Sequence, residues 1–347
     1  MTSKENEKEK EYRGVVLTDE NTVVSVWDNS FPKKSGQKYE ELITDMDENE
    51  AYFEFDFPKT FKKNIDGKWL DLPIEQKKIT SSMFPKLLGS SSFDSVGKSI
   101  LEFFKMTDEK PFDDYYTVRG DVGEHFAKEY LEANYDRANF GYEVLHFNQK
   151  MFNYDQFPKN KRFGGVIDLG IRQWVKGQKD KTLVRRIGEV KSKAIETNKW
   201  KSFKTPYENI VVENNAPPTN DTEVLQGRFL GYMGVVDKIL MIYVFFPSSF
   251  EERVREIIAY SKALTNELPS KETVLNDTGI TLKDCVVKVI QYDVGKEELE
   301  QQMEHAYELV FGCLKRKRIP QHLFSEEERV YLNNIVVNRK NREYVPF

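Results

Sequence analysis

Apolar positions change their period several times along the chain, and each change marks an expected element. Over 118–135, Val122, Phe126 and Tyr130 recur every four residues, with Ala127 and Leu131 on the neighbouring strip, which predicts an amphipathic helix. Residues 142–152, 162–175 and 182–192 are short segments that read as three strands. A helix is expected over 221–237, then a strongly apolar strand over 239–246 that Pro247 stops. A helical insert near 251–264, a strand over 285–292 and a last helix over 296–315 follow. In that last helix Leu299, Met303, Ala306, Val310 and Cys313 form one stripe. Upstream, 79–88 reads as a short helix ended by Gly89, and 96–106 resumes helical spacing. The first 75 residues mix short β-like pieces, 14–27 and 52–57, with turn-rich acidic connections. The order helix, three strands, helix, strand, helix, strand, helix predicts an α/β or α+β core, a mixed sheet flanked by helices. The expected division is an accessory head (1–75), a core (76–319, with a helical insert at about 248–280) and a tail (320–347).

Composition narrows the chemistry. At 347 residues, 39% hydrophobic and 13% aromatic, the chain can bury a sizeable core and is not a disordered one. No apolar run approaches the roughly 18 residues of a membrane span, and the charged opening lacks a signal peptide's apolar stretch. A soluble cytoplasmic protein is expected, with the nucleus an alternative in a eukaryotic host. Two cysteines, Cys285 and Cys313, exclude a disulfide framework and a four-cysteine zinc or iron–sulfur site. Four histidines, none in ligand spacing, leave oxygen as the main metal donor, which favours magnesium or manganese over zinc.

The net charge of −5 is unevenly spread. Residues 1–75 hold 18 acidic and 11 basic side chains, and the other 272 residues sum to +2. Within them, 176–204 carries ten Lys/Arg against three acids. Such a cluster suits a phosphate backbone better than a global sum suggests. DNA is therefore expected along this stretch, through Lys193, Lys199, Lys201 and Lys204, with the acidic head as a removable guard. A solvated strand and loop is the plainer reading of the same charges.

Strands 162–175 and 182–192 flank a polar, glycine-containing loop, 176–181. If they form a hairpin symmetrical about it, partner numbers sum to 357, Asp168 faces Glu189, and Ile167 faces Val190 on the opposite side. Directly opposed residues stand roughly 4.5–5.5 Å apart at Cβ. Lys191, two positions on, projects from the face of Glu189. Opposed carboxylates destabilise an ordinary sheet, and a divalent cation between them reverses the penalty. That cation can orient a water and lower its pKa, while a lysine steadies developing negative charge. Asp168, Glu189 and Lys191 are thus sufficient for phosphodiester hydrolysis. Glu124 is the natural third carboxylate, on a helix strip where Gly120 and Gly123 permit close approach. His125 beside it reads as a structural residue. Lys315 to Arg318 suits a helix C-terminus, with DNA contact or a nuclear address as alternatives.

In order along roughly 79–319, these residues resemble the PD-(D/E)xK nuclease superfamily, in particular its lambda exonuclease and YqaJ-like viral recombinase branch. Ile79-Thr80-Ser81-Ser82 with Leu87-Leu88-Gly89 resembles the helix that opens the family's domain. Arg119 to Glu124 looks like its helical Gly-x-x-x-Glu, Phe163 to Asp168 its aspartate strand, Ile187 to Lys191 its Glu-x-Lys strand, and Val224 to Met233 its glutamine-bearing helix. The usual proline before the aspartate is here Ile167, and the arginine expected before the opening helix is missing, although Lys77 and Lys78 are near. The resemblance implies metal ligation by Glu124, Asp168, Glu189 and the Val190 carbonyl, with Lys191 at the attacking water. It further implies support from Gln226, a 5′-phosphate pocket including Ser82, and DNA contact by Arg119. The expected activity is a magnesium- or manganese-dependent DNA exonuclease of viral or phage recombination or replication. An oligomeric ring and a single-strand annealing partner are further expectations. An endonuclease of restriction, defence or junction-cleaving type, and a DNA-binding module without catalysis, stand as alternatives.

Overall fold

The computed structural model describes residues 15–18, 23–25, 51–65, 68–91, 94–107, 113–134, 142–146, 155–157, 159–174, 181–195 and 222–340. In chain order the strands are β1 (Val15–Thr18), β2 (Val23–Ser25), β3 (Tyr52–Glu54), β4 (Thr60–Ile65), β5 (Lys68–Pro73), β6 (Ile79–Thr80), β7 (Tyr142–His146), β8 (Phe163–Gly164), β9 (Leu169–Trp174), β10 (Lys181–Ile195), β11 (Lys238–Pro247), β12 (Val286–Asp293) and β13 (Arg318–Pro320). The helices are α1 (Phe84–Leu87), α2 (Val96–Phe103), α3 (Asp114–Asn134), α4 (Thr222–Met233), α5 (Ser248–Thr265), α6 (Lys271–Thr278), α7 (Lys296–Arg316) and α8 (Glu326–Lys340). The protein is a mixed α/β fold.

β10 organises the sheet. Along one edge it pairs antiparallel with β9, which pairs in turn with β7. Along the other it takes β1 near its start and, from Ile187 onward, β11 in parallel; β12 then runs antiparallel to β11. The parallel β10–β11 step requires a crossover, and α4 supplies it. β11 is apolar on both faces because helices cover both. Ile239 and Met241 enter a core with α4 and α7, whereas Leu240, Ile242, Val244 and Phe246 enter a second core with α3 and α5. The stripe foreseen on the last helix, Leu299, Met303, Ala306, Val310 and Cys313, is buried throughout.

Several expectations change. The short helix over 79–88 is a strand followed by a turn and α1: Ile79 and Thr80 pair in parallel with Phe163 and Gly164. Neighbouring strand pairing overrides the local helical pattern there. Strand 162–175 splits into β8 and β9, and Asp168 stands at the bend between them. The head is also tied into the body. β3 pairs with β13, Phe53 meets Phe324 edge-on, and Phe53, Phe57 and Ile74 are buried in the α4–α7 core. The expected tail, 320–347, contains α8, and β13 straddles its start. Pairing between segments some 260 residues apart leaves no local trace in sequence.

Candidate active site

The hairpin register emerges as the symmetry argument requires, over part of its length. Leu169 pairs with Gly188, Gly170 with Ile187 and Ile171 with Arg186, all summing to 357. A bulge at Arg185 then shifts the pairing by one, so Arg172 meets Val184. The bulge confines the symmetric register to the end that carries the carboxylates. At that end Asp168 lies just before β9, and its Oδ2 accepts a hydrogen bond from the Val190 backbone N–H at 2.8 Å.

Ile167 and Val190 do not share a core face. Ile167 packs in the α4–α7 core and Val190 in the α3–α5 core. The break at 165–168 removes Ile167 from the strand's alternation.

Glu189 is 2% exposed, and its Oε1 accepts from Lys191 Nζ at 2.7 Å. Lys191 also donates to Gln226 Oε1 at 2.9 Å, so α4 holds the ammonium from the far side. Gly227 permits that approach: a Cβ there would lie 2.7 Å from Ile239 Cδ1 and Met241 Sδ. Glu189 Oε2 is buried without a hydrogen-bond partner. Burial first, and the Asp168 charge second, push the Glu189 carboxyl up to about 8; Lys191 pulls the other way, and Glu124 adds to the rise. Burial would lower the Lys191 ammonium, but Glu189, with Asp168 and Glu223 behind it, overrides this and raises it. One buried ammonium therefore faces a surplus of negative charge.

Glu124 is half-buried on α3, within electrostatic reach of Glu189. Of its two neighbouring glycines only Gly123 serves a close approach. A Cβ on Gly123 would fall 1.9 Å from Ser192 Oγ, whereas one on Gly120 would meet nothing within 4 Å. Among the described residues no three Asp, Glu, His or Cys side chains make a metal-sized group by themselves. Asp168 and Glu189 nevertheless suit magnesium, which keeps several waters and is commonly held by one or two carboxylates plus substrate phosphates. The orphaned Glu189 Oε2 is the atom such an ion would satisfy.

The remaining expected residues have contacts of their own. Ser82 is exposed, its hydroxyl 3.2 Å from that of Thr80. The Arg119 guanidinium lies over the rings of Tyr115 and Tyr116, 5.1 and 4.9 Å from their centroids. His125 has its pKa lowered by burial and then by Lys271 of α6, so it belongs with the helical insert. Lys193 forms an ion pair with Glu223 of α4. Lys199, Lys201 and Lys204 lie outside the described residues. Glu223 is the site residue that sequence reasoning missed. Its signal was a matched spacing: Lys191 and Lys193 alternate on one strand face, and Glu223 and Gln226 sit three apart on one helix face.

No family model and no curated protein matches this chain. Several solved structures are similar to it, among them two exonucleases. One is a phage-related exonuclease from Haemophilus somnus 129PT, 12% identical, with a TM-score of 0.36, covering 69% of this chain and 96% of that one. The other is an alkaline exonuclease from Laribacter hongkongensis, 14% identical, with a TM-score of 0.33, covering 76% of this chain and 96% of that one. Among the described residues no helix is long and apolar enough to cross a membrane.

Proposed function

We propose that the protein is a metal-dependent DNA exonuclease acting on duplex ends in phage or viral recombination or replication. The observation that carries this reading is the buried Glu189, with one oxygen unsatisfied, placed against Asp168 and Lys191. A buried carboxylate in that state is costly unless a cation completes it.

Glu124, Asp168, Glu189 and the Val190 carbonyl would hold a magnesium or manganese ion. Bound there, the ion would supply water activation and charge stabilisation at the phosphoryl oxygen. Lys191 stays protonated and positions the attacking water or the developing charge. Gln226 fixes the Lys191 ammonium, and the Val190 N–H fixes the Asp168 carboxylate. DNA would follow the basic stretch 176–204 in the host cytoplasm. A ring-shaped oligomer and a single-strand annealing partner extend the same reading.

The test offers linear and circular duplexes, with 5′-phosphate or 5′-hydroxyl ends, to wild type and Lys191→Ala in magnesium. Mononucleotide release from linear DNA alone is expected, lost in the variant. Cleavage of circles would make the enzyme an endonuclease, and no metal-dependent cleavage of any substrate would remove the nuclease reading. Calcium should permit binding with little turnover because its looser shell orients water poorly, and a magnesium-sparing zinc chelator should change nothing.

A further inference from the structure

Residues 165–168 lie between β8 and β9 outside any strand pairing, yet Asp168 must leave them aimed at β10. Buried backbone groups without a ladder have to be met in some other way. A second segment, residues 155–157, meets them. Gln156 N–H donates to Gly165 O at 3.0 Å, and Asp155 Oδ1 accepts from Gly165 N–H at 3.3 Å. The same oxygen accepts from Phe157 N–H at 2.9 Å, and Asp155 Oδ2 accepts from Lys78 Nζ at 2.6 Å. Lys78 donates in turn to Phe157 O at 2.9 Å and leads directly into β6, which pairs with β8. The segment is thus tied to both flanks of the break.

The contact nearest to Asp168 is made by a side chain. Ile167 N–H is buried and donates to Gln156 Oε1 at 2.6 Å. Gln156 itself is 2% exposed, and its Nε2 is buried with no hydrogen-bond partner among the described residues. An amide buried with its donor end unmet is costly, so the fold keeps this glutamine for its oxygen. A methionine of similar volume would avoid that cost and would leave Ile167 N–H orphaned. A proline at 167 would lock φ and carry no N–H, and isoleucine does neither. Gln156 Oε1 supplies from outside the constraint that isoleucine lacks.

We infer that Gln156 is a positioning residue for the metal site: it fixes the peptide before Asp168, and so the direction in which that carboxylate leaves the chain. Asp168 is then gripped at both ends, its backbone through Gln156 and its Oδ2 by Val190 N–H. The inference rests on the nuclease reading above for the ion that Asp168 would hold. Partners that orient a metal ligand typically matter by roughly 10–100-fold in affinity or activity. A residue that merely filled space would change stability and leave affinity alone.

The experiment compares wild type, Gln156→Ala, Ile167→Pro and the double variant Gln156→Ala, Ile167→Pro, all metal-free at the start. Circular dichroism checks folding, calorimetric titration with magnesium alone reads affinity, and a linear duplex reads turnover. Gln156→Ala should weaken magnesium binding by roughly 10–100-fold and lower kcat similarly, with KM for DNA little changed. Ile167→Pro alone should also bind more weakly. Its ring carbon would replace the hydrogen that points at Gln156 Oε1, only 2.6 Å from the nitrogen. The double variant has a fixed φ, no N–H to satisfy and no collision, and should regain wild-type affinity. Packing alone predicts the opposite order, since the double variant loses the most buried volume. Unchanged magnesium affinity in folded Gln156→Ala, or a double variant weaker than either single one, overturns the inference. Should Gln156→Ala not fold, the double variant decides alone: wild-type affinity upholds the inference, and weak binding or no fold overturns it. Wild type that binds no magnesium overturns the nuclease reading as well, which separates the two failures.

Discussion

Two buried ionisable groups meet at helix α4, Arg228 from within it and Glu189 from the neighbouring β10, and they are treated in opposite ways. Arg228 is 3% exposed and fully employed: Nε donates to Val294 O at 2.7 Å, and Nη2 reaches Gly295 O at 3.5 Å and Glu298 Oε2 at 3.2 Å. Gly295, with φ of +65°, makes room for it, since a Cβ there would lie 2.0 Å from Nη2. Glu189, as deeply buried, keeps one oxygen without a donor and has Asp168 pressing the same charge upon it. A satisfied buried charge holds α4 to the start of α7. An unsatisfied one holds nothing that a neutral isostere would not hold as well. The fold carries that cost on β10, beside this helix, and the place is the candidate active site.

This contrast can be broken by substitution. The largest effect is expected for Lys191→Ala and Asp168→Ala, each lowering cleavage by two to three decades, or about 3–4 kcal/mol of barrier, with the fold retained. Near-normal turnover by either folded variant would sink the assignment. Next comes Arg228→Met, which strands the Val294 carbonyl and should cost about 2–3 kcal/mol of stability in a denaturant titration. Its rate per folded molecule should stay within a few-fold of wild type. A large rate loss at full stability would move Arg228 into the chemistry.

Glu189→Gln should do the reverse, removing a buried charge and raising the melting temperature of the metal-free protein. The sign follows from the raised pKa. Its folded value of about 8 lies above the ordinary carboxyl value of 4.5, so the stability it contributes is complete below about 4.5 and is lost as pH rises towards 8. Magnesium binding requires the carboxylate, so its stabilising effect should grow across that window and vanish in the variant. A magnesium shift that is equal at pH 6 and pH 9, or that survives Glu189→Gln, would place the ion elsewhere. The smallest effects are expected for Gln226→Ala and Glu223→Gln, which loosen the ammoniums of Lys191 and Lys193. Each should lower the rate by roughly tenfold or less, visible in kcat before KM. Equal effects on KM alone would make them substrate contacts.

The composition and local patterns already contained much of this. Two cysteines excluded a four-cysteine metal site, and four histidines outside ligand spacing left oxygen as the expected donor, before any fold was known. The 3.6-residue period located α3 and α7, and the symmetric loop anticipated the pairing of Leu169, Gly170 and Ile171 with Gly188, Ile187 and Arg186 next to Asp168, because helix periods and hairpin pairing are short-range properties. What depended on contacts distant in sequence stayed hidden. The Arg185 bulge, the break before Asp168 and the pairing of Ile79 with Phe163 each follow from packing against another segment. The same holds for the head: its acidic sum concealed both the buried Phe53, Phe57 and Ile74 and a lysine-bearing hairpin. Charge and periodicity add up along a chain, so sequence displays them. Burial, and with it the unsatisfied oxygen of Glu189, is decided by which segments come to lie on top of one another, and only the tertiary structure decides that.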